Sequence, residues 1–172
     1  RVVTSFCFAL MVPSSSFSGW LALACAASIL NILNDWHLPK AWRDIYYQSA
    51  YSCYLFTALG FVATGLENIW GLSYDLPVYL LFFAAAGIAV ITIMLVMGQK
   101  HTGHAISYLV AIKWILIMMP VVAILQSVAM LGIIPEQLSQ FLSAALVVMS
   151  FSLYLNVFAG KLLSIRIDGK QD

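Results

Sequence analysis

The sequence predicts an all-α fold, a polytopic transmembrane helical bundle of five full spans preceded by a truncated first helix. Three observations carry this reading. Of 172 residues, 63% are apolar and only 9% are charged, against roughly 45–50% and about 25% in soluble domains. The mean hydropathy is +0.96. The apolar residues also gather into runs of about 17 to 25, bounded by charges, Pro or Gly, which is the length a helix needs to cross a hydrocarbon core. This composition excludes a soluble enzyme, a disordered segment and a nucleic-acid binder, and the net charge of +1 says nothing about partners until the charges are placed along the chain. The partner it demands is the lipid bilayer. No run alternates as a barrel strand would, so helices are the one way to satisfy the backbone in hydrocarbon.

The first stretch, Val2 to Val12, is about half a span. It reads as the end of a longer helix, stopped by Pro13 and Ser14-Ser15-Ser16. The chain opens Arg1-Val2-Val3 without a small-residue cleavage pattern, so this stretch is not read as a signal peptide. Full spans are then expected over Phe17 to Asn34, Tyr46 to Leu66, Leu76 to Met97, Ile106 to Val128 and Leu138 to Gly160. None contains Asp or Glu, and Lys113 is the one internal Lys or Arg. Counting the short stretch as a span places Arg1, Lys40, Arg43, Lys100, Lys161, Arg166 and Lys170 on one side and Glu67, Asp75 and Glu136 on the other. Lys113 snorkels to the basic side. The basic side is expected to be cytoplasmic, with both ends of the chain there. Trp36, Trp42, Tyr46 and Tyr47 mark the cytoplasmic interface, and Trp70 and Tyr74 the opposite one.

Within the spans, Pro120 should loosen its helix and free a carbonyl near Leu116. Ala84-Ala85-Ala86-Gly87 should let another helix approach closely. Cys7, Cys25 and Cys53 lie in apolar runs without C-x-x-C spacing and read as small buried hydrophobes.

The densest polar cluster is Gly98-Gln99-Lys100-His101-Thr102-Gly103-His104, expected as a cytoplasmic connection in which Gly98 and Gly103 are turn residues. His101 and His104 are i, i+3, and on a helix both imidazoles would share a face and suit haem iron, copper or zinc. The neighbouring Lys100 ammonium repels a cation and suits an anion instead, such as a haem propionate. A plain solvated loop is the alternative. His37 reads as an interfacial residue, and no histidine lies inside a span. Met94, Met118, Met119 and Met149 are expected as packing. Tyr79, near the non-cytoplasmic end of its span, can ligate ferric haem in principle, with interfacial packing as its alternative. No nucleophile and base pair, phosphate loop or carboxylate dyad is visible.

The stretch from Tyr79 to His104 resembles the signature of the NnrS family of bacterial membrane proteins. In that family an apolar, Gly- and Ala-rich helix opens with His, passes a Met and an Arg, and runs into Leu-Gly-His-Thr-Gly-Arg. Here His101-Thr102-Gly103 stand in register with Gly87 and Met94. The family's closing Arg-x-Asp-Gly is matched by Arg166-Ile167-Asp168-Gly169. The chain departs from the pattern at Tyr79 for His, Val96 for Arg, Gln99-Lys100 for Leu-Gly and His104 for Arg. The resemblance implies that residues 1–172 are a single transmembrane domain, the C-terminal half of a member with about twelve spans. It also implies a bacterial inner-membrane protein, containing haem and/or copper, in the response to nitric oxide or nitrosative stress beside denitrification. His101 and His104 would be metal ligands or haem contacts, supported by Lys100, and Tyr79 stands where the family has its His. The N-terminal half and nitric oxide are the partners implied. A metal-free transporter-like or structural membrane subunit of the same fold is the alternative, and neither reading fixes an enzymatic reaction.

Overall fold

A computed structural model describes residues 16–35, 43–71, 75–102, 110–130 and 132–163. All the described elements are helical, and five stretches are long and apolar enough to cross a membrane. We label the helices α1 (Ser16–Asn34), α2 (Ile45–Trp70), α3, α4 (Val110–Met130) and α5 (Glu136–Leu162). Helix α3 is continuous but mixed: a first turn Leu76–Val78, a π-helical stretch Tyr79–Ala86 and an α-helical remainder Gly87–Thr102. The stretch from Val2 to Val12 lies outside the described residues.

Local chemistry sets the helix ends. Asp44 caps α2, its Oδ1 accepting the Tyr46 N–H at 2.8 Å. At the other end Gly71 turns the chain at φ 65, a left-handed conformation that glycine adopts without Cβ strain. Helix α3 opens at Leu76 with Pro77 in its first turn, where a missing N–H costs nothing. Gly132, at φ 72, folds the chain back after α4 and donates its N–H to Ala129 O at 2.9 Å.

Successive helices run antiparallel, as paired contacts at opposite sequence positions show. Ser49 meets Thr92 while Gly60 meets Leu81 across α2 and α3. Gln126 meets Ser143 while Ile115 meets Ser150 across α4 and α5. Helix α3 is central. Its Ile88, Ile91 and Leu95 bury against Ile112, Ile115, Leu116 and Met119 of α4 and Tyr154 and Phe158 of α5. Ile45, Tyr46, Cys53 and Phe56 of α2 close the same core. A second core of Ala22, Cys25, Ala26 and Phe61 joins α1 to α2.

In a bilayer the hydrophobic effect does not drive helices together, so close approach and interhelical hydrogen bonds matter more. Both are present. Gly19 and Gly65 cross so closely that a Cβ on Gly19 would lie 2.9 Å from Gly65 O. Asn68 Nδ2 donates to Ser18 Oγ at 3.2 Å across the same pair. Helix α5 faces α4 with a row of serines: Ser139 Oγ donates to Leu125 O at 3.1 Å, and Ser150 Oγ to Ile115 O at 3.3 Å. The opposite faces carry exposed Trp20, Phe82, Trp114, Phe141 and Val148, the apolar perimeter that lipid requires.

The small residues of α3 pack as expected. Ala84 and Ala85 are buried, the Cys53 Sγ–H donates to Ala85 O at 3.3 Å, and Gly87 lies against Met119. The π-helical turns at this point were not foreseen, since periodicity cannot separate a uniformly apolar π-helix from an α-helix. Cys25 is buried and Cys53 half-buried, both as free thiols, and Cys7 lies outside the described residues. Pro120 sits inside α4 as expected. The Ser150 hydroxyl bonds the carbonyl of Ile115, one residue before the one expected to be freed.

Candidate functional site

The sequence places Gly98 in a turn, and the structure corrects this. Helix α3 continues through Gly98, Gln99, Lys100 and His101 to Thr102. Glycine is tolerated there because it is the contact point with α5: an added Cβ would lie 3.1 Å from Phe158 Cδ1 and 3.2 Å from Tyr154 Oη. Tyr154 stacks on Phe158 with ring centroids 5.0 Å apart, and its hydroxyl donates to Met94 O at 3.4 Å. The residue after Gly98, Gln99, is 3% exposed and donates from Nε2 to Tyr46 Oη at 2.7 Å, tying α3 to the start of α2. The last turn of α3 is therefore held on two sides.

Lys100 and His101 stand exposed on that held turn, at the basic end of the bundle. Positive side chains there also complement the C-terminal dipole of α3. The held turn fixes the backbone positions of both residues. Gly103 and His104 lie outside the described residues, as does His37. Among the described residues no group of three His, Cys, Asp or Glu converges, and His101 is the one histidine. Among the described residues, this end offers one imidazole as a nitrogen donor and, at the adjoining position, the Lys100 ammonium.

Tyr79 is at the other end of the same helix. At about 1.5 Å per residue it stands roughly 30 Å from His101, too far for the two to share one metal ion or haem iron. Its ring packs at 5.9 Å from Phe83. It lines a recess of about 420 Å³ whose polar walls are Gln126, Gln140 and Ser143. Gln126 is 6% exposed and donates from Nε2 to Ser143 Oγ at 3.0 Å. Of the methionines weighed as donors, Met118 and Met119 are buried and Met94 packs against the main core, whereas Met149 is exposed on the bundle's apolar perimeter.

Two features of these ends escaped sequence reasoning. The Tyr46 to Gln99 bond joins residues distant in the chain, and no local pattern announces it. Gln126 did leave a signal, since an amide inside an otherwise apolar span must find a partner.

The profile of the family described as NnrS protein matches residues 2–166 of the chain. No curated protein and no solved structure matches it.

Proposed function

We infer the function from one premise: this chain belongs to the NnrS family. Membership points to a role in the response to nitric oxide, and five candidate spans make the protein a multi-pass membrane protein. Within that frame we propose a bacterial inner-membrane protein that holds haem and/or copper and acts in nitrosative stress, beside denitrification. The observation that supports a metal role most directly is His101, exposed on the held last turn of α3 with Lys100 beside it. His101 would supply an imidazole nitrogen to the metal and Lys100 would pair with a haem propionate. His104 would add a second imidazole or a supporting contact. A bound haem or copper would supply the centre that coordinates nitric oxide. What the chain itself contributes is orientation: Gly98 against Phe158, and Gln99 on Tyr46, fix the turn that carries the ligand.

Tyr79 takes no part in that centre, given its distance. Its place at the position of the family's His supports the second reading, a metal-free transporter-like or structural subunit. An absorption spectrum with metal analysis of the full-length protein, repeated for His101→Ala, separates the two. A Soret band that shifts with nitric oxide and is lost in the variant is the expected result. A colourless protein without copper would overturn the metal reading and leave the metal-free subunit.

A further inference from the structure

We propose that the recess beside Tyr79, together with an apolar groove continuing from it along α3, α4 and α5, binds a neutral membrane quinone. This goes beyond the metal reading and concerns the opposite end of the bundle. The recess of about 420 Å³ shares Phe83 and Val147 with a second hollow of about 240 Å³, lined by Ala86, Val90, Met119 and Phe151. The two adjoin at these shared residues. The recess alone falls in the size range of ligand sites, roughly 300–1,000 Å³, and the second hollow adds room for a tail. The polar part lies at the first turns of α3 and α5, and the apolar part lies toward the middle of the spans. That order, polar at the interface and apolar toward the midplane, is the order of an amphiphile seated in a bilayer.

Charge decides what kind of head fits. No Lys, Arg or His occurs in residues 44–99 or 114–160, so among the described residues this end of the bundle offers no cation to balance a phosphate. The charge nearest to the recess along α5 is Glu136, whose Oε1 accepts from Gln140 Nε2 at 2.9 Å. It repels an anion. A phospholipid head is therefore disfavoured and a neutral one favoured. Hydrogen-bond chemistry narrows this further. Ser143 Oγ accepts from Gln126 Nε2, which leaves the hydroxyl proton for an acceptor beyond that pair. The Tyr79 phenol brings a second donor to the same recess, and Gln140 has two amide hydrogens of which the bond to Glu136 uses one. Donors around an uncharged recess call for carbonyl oxygens, and an apolar tail completes a quinone.

The test is titration of the detergent-purified protein with decylubiquinone, followed by quenching of tryptophan fluorescence. Saturable quenching is expected. Ser143→Ala should weaken binding about three- to tenfold, the worth of one hydrogen bond. Ala144→Phe should abolish it, because Ala144 is exposed on the lip of the recess and a ring there fills the space without entering the core. Excess phosphatidylglycerol should not displace the quinone. The proposal is overturned if quenching does not saturate, if both variants bind as the wild type does, or if phosphatidylglycerol competes equally. It is also overturned if a cysteine placed at Val147 cross-links to another protein segment seated in the groove. The Soret spectrum of Ala144→Phe, which this change should leave intact, separates failure here from failure of the metal reading.

Discussion

Replacing Gly65 with Ala puts a single methyl group where α1 and α2 cross. The added Cβ would meet Leu23 Cγ at 2.7 Å and Gly19 O at 3.0 Å. In the reciprocal change, Gly19→Ala, it would meet Gly65 O at 2.9 Å and Ile69 Cγ1 at 2.8 Å. A leucine side chain can rotate away, but a helical carbonyl cannot, so the helices must part by about half an ångström. A gap of that size forfeits roughly a quarter of each dispersion well along the interface. Overpacking costs about 1–3 kcal/mol, while alanine regains nearly 1 kcal/mol of helix propensity. The net expectation is a loss of about 1 kcal/mol in the docking of α1, or roughly a fivefold rise in its open population. Cys25 reports on that opening directly, because it is 2% exposed and packed with Ala22, Ala26 and Phe61 in the core between the two helices. In a background with Cys7 and Cys53 replaced by Ser, maleimide labelling of Cys25 should run about fivefold faster in either variant than in the parent. Gly160→Ala is the control, since nothing lies within 4 Å of its added Cβ, and it should label at the parental rate. Equal labelling in parent and Gly65→Ala would refute the idea that backbone approach at these glycines holds α1 in place.

Tyr46→Phe removes the acceptor of the buried Gln99 amide and should cost about 1–2 kcal/mol, lowering the melting temperature in detergent by roughly 2–8 °C. Adding Gln99→Leu to that variant should restore most of the loss, because an apolar pair leaves no polar group stranded; a double variant no better than Tyr46→Phe would refute the hydrogen-bond account. A double-mutant cycle on Gln126 and Ser143, with alanine at each, should give a coupling of about 0.6 kcal/mol in denaturant titrations in micelles. Strictly additive effects would show that the pair does not hold α4 to α5.

Much of the bundle was legible because the bilayer is a simple solvent. Each described helix matches an expected span within a few residues, except where α3 runs on past Met97 to Thr102. That miss has a specific cause. Gly98 reads as a breaker when only local propensity is weighed, but in the fold its missing Cβ admits Phe158, and packing outweighs propensity. The candidate site was legible residue by residue and not as a constellation. His101 and Lys100 could be singled out as polar groups at a span end, whereas the hold of Tyr46 on the neighbouring Gln99 depends on where α2 docks.

The sequence by itself determined the five described spans and their order, because the cost of placing charge in hydrocarbon acts on each segment independently of its neighbours. Tertiary structure alone decided that Tyr46 holds Gln99, that Gln126 and Ser143 meet, and that a recess opens beside Tyr79. Those facts depend on how helices rotate and approach. Approach is set by the few places where a glycine, a serine or a π-helical turn lets two backbones come close, and such contacts join residues far apart in the chain.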